Sequence, residues 1–160
     1  MGKIITLKEA IKTSRLLKSE GKDVVLAGGC FDIFHYGHFH FLKKAKAHGN
    51  SLFVALENDK KVAMLKGAKR PITPEDLRAE IISSFPFVDY VFILPTYTID
   101  EEYNKMTYNI SPGVIAVTKG DKHLDKKQIQ ARRIGATLKV VDQISTPSST
   151  ELHRIITNDL

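Results

Sequence analysis

The stretch VVLAGGCFDIFHYGHFHFLKKAKAHG, residues 24–49, begins as an apolar run, passes through a pair of glycines and ends in a basic, amphipathic segment. Val24-Val25-Leu26-Ala27 is short and rich in β-branched residues, which predicts a buried strand. Gly28-Gly29 is expected to stop it. From His38 onward, Phe39, Leu42, Ala45 and Ala47 supply the apolar positions of a helix, and Lys43, Lys44 and Lys46 its basic ones. Gly49 is expected at its C-terminal cap. Strand, glycine turn and helix in this order aim free backbone N–H groups and a positive dipole end at an anion.

The turn lacks the Gly-Lys-Ser/Thr of a P-loop and the spacing of a dinucleotide fingerprint. It carries Asp32, His35, Gly37 and His38 instead. Two histidines at the mouth of a helix can donate hydrogen bonds to a polyphosphate, and a glycine between them lets backbone approach closely. Such donors would stabilise charge developing on a phosphoryl group in transfer. Gly29-Cys30-Phe31-Asp32 followed by His35-Tyr36-Gly37-His38 resembles the G-x-F-D-x-x-H-x-G-H signature of the cytidylyltransferase-like nucleotidyltransferases. The resemblance extends over nearly the whole chain, from about Lys3 to Ile156. It implies nucleotide contacts at Gly29, Cys30, Phe31, Asp32 and Gly37, and catalytic roles for His35 and His38.

Composition is compatible with that reading. The chain has 160 residues, of which 42% are hydrophobic, enough for a single domain with its own core. No run is long enough to span a bilayer and the N-terminus has no apolar leader core, so a cytoplasmic protein is expected. The lone cysteine, Cys30, excludes an internal disulfide framework. The charge of +6 comes from scattered lysines, not from an aromatic-interleaved basic stripe. Phosphorylated metabolites account for it as well as nucleic acid does, and the central motif favours them. A membrane or nucleic-acid partner is not expected.

Along the rest of the chain, Thr6-Leu7-Lys8-Glu9 is a capping box opening a helix with Ile11, Leu16 and Leu17 inward and Gly21 at its end. Residues 1–22 are therefore expected as a helix packed on the core. Further strands are predicted at Ser51–Leu56, Val88–Leu94, Val114–Val117 and Leu138–Val141. The basic segment from Lys61 to Arg70 reads as a loop, either simply solvated or a mobile clamp on a triphosphate. The resemblance implies phosphate binding there, at Lys66, also a catalytic candidate, and at Lys69. A helix is predicted from Thr73 as N-cap with Pro74 at its first position. On it Arg78 is either a surface residue or, as the resemblance implies, an organiser of the nucleotide site. Helices are also expected over Thr98–Asn109 and Lys126–Ile134, with Gly135 ending the latter. Lys119-Gly120-Asp121 closes the fourth predicted strand, where open α/β sheets place ligands.

The tail, Ile144 to Leu152, leads into a helix expected over residues 148–160. Ser and Thr before a helix cap it, and a cap is also an anion site. The resemblance implies phosphate contacts there, and Ser149 and Thr150 abut the helix. The alternation of strands and helices predicts a single α/β domain, a parallel sheet with helices on both faces. The family version is a Rossmann-like, five-stranded sheet of order 3-2-1-4-5.

The resemblance implies transfer of a nucleoside monophosphate from a nucleoside triphosphate to a phosphorylated small molecule, with release of pyrophosphate and no covalent protein intermediate. It also implies Mg²⁺ held largely by substrate oxygens and water, and a homodimer. Zinc is disfavoured, since a closed ligand set is missing. Ile4-Ile5-Thr6-Leu7, Gly21-Lys22-Asp23, Leu65-Lys66-Gly67 and Arg70-Pro71-Ile72 look most like the heptose 1-phosphate adenylyltransferase branch. Glycerol-3-phosphate cytidylyltransferase is next, and FMN and phosphopantetheine adenylyltransferases are more distant. A nucleotide-binding protein without turnover and an RNA-binding module are the readings from other classes.

Overall fold

Residues 1–158 are described by a computed structural model of the chain. The elements run β1 (Lys3–Ile4), α1 (Leu7–Ser19), β2 (Val24–Gly29), α2 (Tyr36–Lys46), β3 (Ser51–Leu56), α3 (Asp59–Lys66) and α4 (Glu75–Ser83). They continue as β4 (Tyr90–Ile93), α5 (Asp100–Ile110), β5 (Val114–Thr118), α6 (Leu124–Arg133), β6 (Thr137–Val141) and α7 (Ser149–Asn158). The sheet is parallel throughout and has six strands in the order β1-β4-β3-β2-β5-β6. Five adjacent strands, β4-β3-β2-β5-β6, follow the expected 3-2-1-4-5 order. The sixth is the two-residue edge strand Lys3–Ile4, which pairs with Tyr90 and Val91 and precedes α1, where only a helix was expected.

The strands alternate their side chains between two cores. On one face Val25, Ala27, Leu52, Val54 and Val91 meet Phe41, Leu42 and Ala45 of α2 and Ala79 and Ile82 of α4. On the other, Val24, Leu26, Phe53, Ala55 and Phe92 meet Ala10 of α1 and Met106 and Ile110 of α5. A smaller cluster seats Ala131 of α6 on Ile115 and Val117. Ser14 is buried in α1 and donates to Ile110 O at 2.6 Å, tying α1 to α5.

Several local expectations are corrected. The β2 strand does not stop at Gly28 but pairs through Gly29 with Leu56. The turn after it is made instead by Phe31 and Ile33, whose φ values are 48° and 50°. Gly49 is no left-handed cap: a Cβ there would lie 2.7 Å from Val25 Cγ2 and 2.9 Å from Asp23 O, so the glycine permits close packing. Leu16 is 57% exposed, because the inward stripe of α1 runs through Ala10 and Ser14. The Lys61–Arg70 segment is mostly helix: α3 is capped by Asn58, whose side chain accepts from Lys61 N at 2.7 Å. Thr73 is not the N-cap of α4, a position that Pro74 takes without a side-chain bond. Of the last predicted helix, residues 159–160 lie outside the described residues.

Arg78 joins these elements at the carboxyl end of the sheet. Only 1% exposed, it donates to Cys30 O just after β2, to Glu57 O just after β3 at 2.9 Å, and to Thr73 O at 2.9 Å. Its remaining nitrogen pairs with Asp59 at 2.6 Å. A buried guanidinium is tolerable only when its donors are satisfied in this way. Arg78→Met should leave three carbonyls short of a donor and destabilise the fold by about 3 kcal/mol or more. Thermal unfolding followed by circular dichroism checks this, with a fall in Tm of roughly 6–12 °C expected for a chain of this size.

Candidate active site

The sheet order reverses between β2, which turns toward β3, and β5 on its other side, and ligands of open α/β sheets bind outside the strand ends at such a point. A cleft of about 210 Å³ lies there. It is lined by Gly28, Gly29, Cys30 and Phe31 from β2 and its turn, His38 and Phe41 from α2, Lys66 from α3, and Ala116, Val117, Thr118, Asp121 and Lys127 from the β5–α6 side. Asp121 thus faces the His38 side across the cleft.

His35 is the N-cap of α2. Its Nδ1 accepts from Gly37 N at 3.1 Å, which puts the neutral ring's proton on Nε2 and leaves that nitrogen a donor. The His38 ring stacks on it with centroids 3.8 Å apart. Gly37 is required by this crowding: a Cβ would lie 2.8 Å from His35 Cε1 and 3.1 Å from Thr146 Oγ1. Burial, and then the charge of Lys66, lowers the His35 pKa. Burial, His35 and Lys66 together push His38 down to about 3. Both imidazoles are therefore neutral donors near neutral pH, and the buried Nδ1 of His38 has no partner.

Lys66, at the end of α3, donates to Ser149 Oγ at 3.0 Å and so links α3 to the first residue of α7. Behind this contact lies a second cleft of about 510 Å³, between the 65–70 segment and α7, lined by Lys66, Lys69, Arg70, Thr150, His153 and Arg154 among others. It gathers positive charge. Lys69 and Thr150 are exposed there, whereas Ser149 is 5% exposed and Arg70 6%. One guanidinium nitrogen of Arg70, Nη2, is buried without a partner.

Asp32 turns away from the cleft into the protein. Fully buried, it pairs with Arg70 and accepts from Ile72 N at 3.0 Å and Thr73 N at 3.2 Å. Burial alone would raise its carboxyl, but the bonds from Thr73, Arg70 and Ile72 outweigh it and hold it below the usual range. Arg78 likewise spends its donors on protein groups. Asp121 is paired with Lys127 at 2.7 Å, while Lys119 points to Asp142 at 3.3 Å, both exposed, and Gly120 makes the turn with φ 81°. Cys30 is a thiol raised by burial. The sequence reading did not single out Arg70, Lys127, Glu57 or Tyr103 as site residues. For Glu57 a signal existed: it is the first polar residue after a buried strand, at the sheet's carboxyl end.

The family model described as Cytidylyltransferase-like matches residues 26–158. The Bifunctional protein HldE of Aliarcobacter butzleri is 36% identical over 157 residues, covering 98% of this chain and 32% of the relative. That of Campylobacter fetus is 33% identical over 150 residues, covering 94% and 30%. The chain thus spans about a third of the length of these curated relatives. Among solved structures, the lipopolysaccharide core biosynthesis protein from Thermoplasma volcanium superposes with a TM-score of 0.61 at 28% identity, over 79% of this chain and 100% of that one. Pantoate-beta-alanine ligase from Francisella tularensis superposes with a TM-score of 0.68 at 14% identity, over 92% of this chain and 69% of that one, a likeness of fold.

The depressed His38 has a consequence for stability. Its folded pKa of about 3 lies below the unfolded value near 6.5, so its contribution is intact above about pH 6.5 and is lost as pH falls toward 3. Urea unfolding at pH 7 and pH 5 should show a loss on acidification that His38→Gln reduces by roughly 1–2 kcal/mol.

Proposed function

The chain belongs to the cytidylyltransferase-like family of nucleotidyltransferases, and from that premise we propose that it transfers AMP from ATP to a heptose 1-phosphate, giving ADP-heptose and pyrophosphate. The nucleotidyl-transfer part is supported most by one observation: two stacked, neutral histidines at the mouth of α2, with Lys66 close enough to depress both. The finer choice of donor and acceptor is supported by the similarity to the HldE proteins and to a lipopolysaccharide core biosynthesis protein. Residence in the cytoplasm and a homodimer belong to the same proposal.

In this reading a phosphate oxygen of the acceptor attacks the α-phosphorus in line while the bond to pyrophosphate breaks. His35 Nε2–H and His38 donate to the non-bridging oxygens on which charge accumulates, from a half-buried position where such bonds are strong. Being neutral, they hold the transition state without a proton transfer. Lys66 neutralises charge between the α-phosphate and the leaving group. Lys69, Arg70, Arg154 and the Ser149 end of α7 receive the β- and γ-phosphates, which would satisfy the orphaned Arg70 nitrogen. The cleft between β2 and β5 takes the nucleoside. Asp32 and Arg78 act as positioning residues, holding the turn and the 70–73 segment in register.

Among the described residues, no cluster of His, Cys, Asp and Glu is built to hold a metal ion. The carboxylate lining the cleft, Asp121, is engaged by Lys127. That donor set suits Mg²⁺ carried by phosphate oxygens and water, as this ion prefers. Its chemistry would be to neutralise the triphosphate.

Pyrophosphate release with Mg²⁺ tests the whole reading, with ATP and CTP each paired with heptose 1-phosphate and glycerol 3-phosphate. Turnover with ATP and heptose 1-phosphate is expected. Turnover only with CTP and glycerol 3-phosphate would keep the chemistry and overturn the substrates. With the productive pair, His35→Ala and His38→Ala should each lower kcat by about a hundredfold or more at unchanged folded secondary structure. Near-native turnover in both would remove the histidines from the mechanism.

A further inference from the structure

We propose that Glu57 recognises a hydroxyl group of the phosphorylated acceptor through its free carboxylate oxygen, an inference that rests on the transfer reading above. Glu57 follows β3 directly, and its N–H donates to Gly29 O at 3.0 Å, beside the reacting turn. Its two oxygens differ. Oε1 accepts from the Tyr103 hydroxyl at 2.9 Å, while Oε2 is buried and has no partner. A buried acceptor left unmade carries its full desolvation penalty, which a ligand donor would remove.

The surroundings narrow what that donor is. The neighbouring polar groups are already committed: Lys61 Nζ donates to Tyr97 O at 2.7 Å and sits 5.5 Å from the Tyr103 ring centroid, and Asn58 donates to Thr96 Oγ1 at 2.8 Å. Arg78 reaches only the Glu57 backbone carbonyl. Burial raises the Glu57 carboxyl, and the Tyr103 hydroxyl, Lys61, Lys127 and Arg78 oppose that rise. A carboxylate repels phosphate, so what faces it is an uncharged, donor-bearing portion of a substrate. Position favours the acceptor over the nucleoside: Glu57 does not line the β2/β5 cleft and ends β3, on the far side of β2 from β5. The Tyr103 hydroxyl donates to Oε1 and its oxygen can still accept, so the pair matches adjacent hydroxyls of a polyol.

Binding separates this from the transfer reading. Calorimetric titration would use the whole chain with Mg²⁺ and a non-hydrolysable α,β-methylene triphosphate. The probes are heptose 1-phosphate, glycerol 3-phosphate and ethyl phosphate, the last carrying the phosphate without hydroxyls. The wild-type protein should bind one of the polyol phosphates at least tenfold more tightly than ethyl phosphate. Glu57→Ala should erase that preference, and the isosteric Glu57→Gln should reduce it at least threefold. Affinities for ethyl phosphate and the nucleotide analogue should stay within twofold. The proposal is overturned if the wild type shows no preference or if both variants keep it. It is equally overturned if the loss falls on the nucleotide analogue, which would assign Glu57 to the nucleoside. Because the readout is binding, a failure to release pyrophosphate would sink the reaction and leave this result intact.

Discussion

The carboxylate of Asp32, with no surface exposed to solvent, is the point at which the reacting turn is fixed to the rest of the molecule. It sits between Phe31 and Ile33, both in the left-handed region, a conformation that costs about 1–2 kcal/mol for each residue with a side chain. The ion pair with Arg70 and the bonds from Ile72 and Thr73 offset that strain. The same bonds determine where Lys66 and Lys69 stand, since they anchor the end of the segment that carries them. Arg78 closes the arrangement from below by gathering the carbonyls that follow β2 and β3 and that of Thr73. The family signature's acidic residue thus acts through geometry, by holding the histidine turn and the basic segment together.

Charge is then divided between two kinds of group. The histidines next to the cleft are neutral because burial and Lys66 both disfavour a second positive charge there. The cations are Lys66, which lines the cleft beside His38, and Lys69, Arg70 and Arg154 of the second cleft. In the proposed reaction the cations would hold the highly charged triphosphate, and the neutral donors would be left for the phosphorus whose charge changes. This division is the one expected of a site that stabilises a transition state without exchanging a proton.

Much of this was legible in the sequence. Apolar runs fixed the central strands because each is covered on both faces, and the glycine-histidine turn after the first of them located the cleft. What escaped had physical reasons. The edge strand Lys3–Ile4 is exposed at both residues and carries no apolar pattern. Helix α3 buries only Val62, so its sequence, rich in lysine, reads as loop. Arg78 allowed a surface reading or a role in organising the nucleotide site; the structure removes the first, burying it on the backbone carbonyls of Cys30, Glu57 and Thr73, contacts that sequence cannot display. Orphaned atoms such as Glu57 Oε2 and Arg70 Nη2 exist only once the chain is folded.

The proposed reaction is a single in-line displacement at the α-phosphorus, assisted by donors that never bond covalently to it. Its stereochemical course tests this most directly. With the Sp α-thio analogue of the triphosphate and the acceptor that supports turnover, the product's configuration at phosphorus would be read by ³¹P NMR. One displacement predicts inversion. Retention would mean two displacements through a nucleotidyl-protein intermediate, and would rule out direct transfer between the bound substrates.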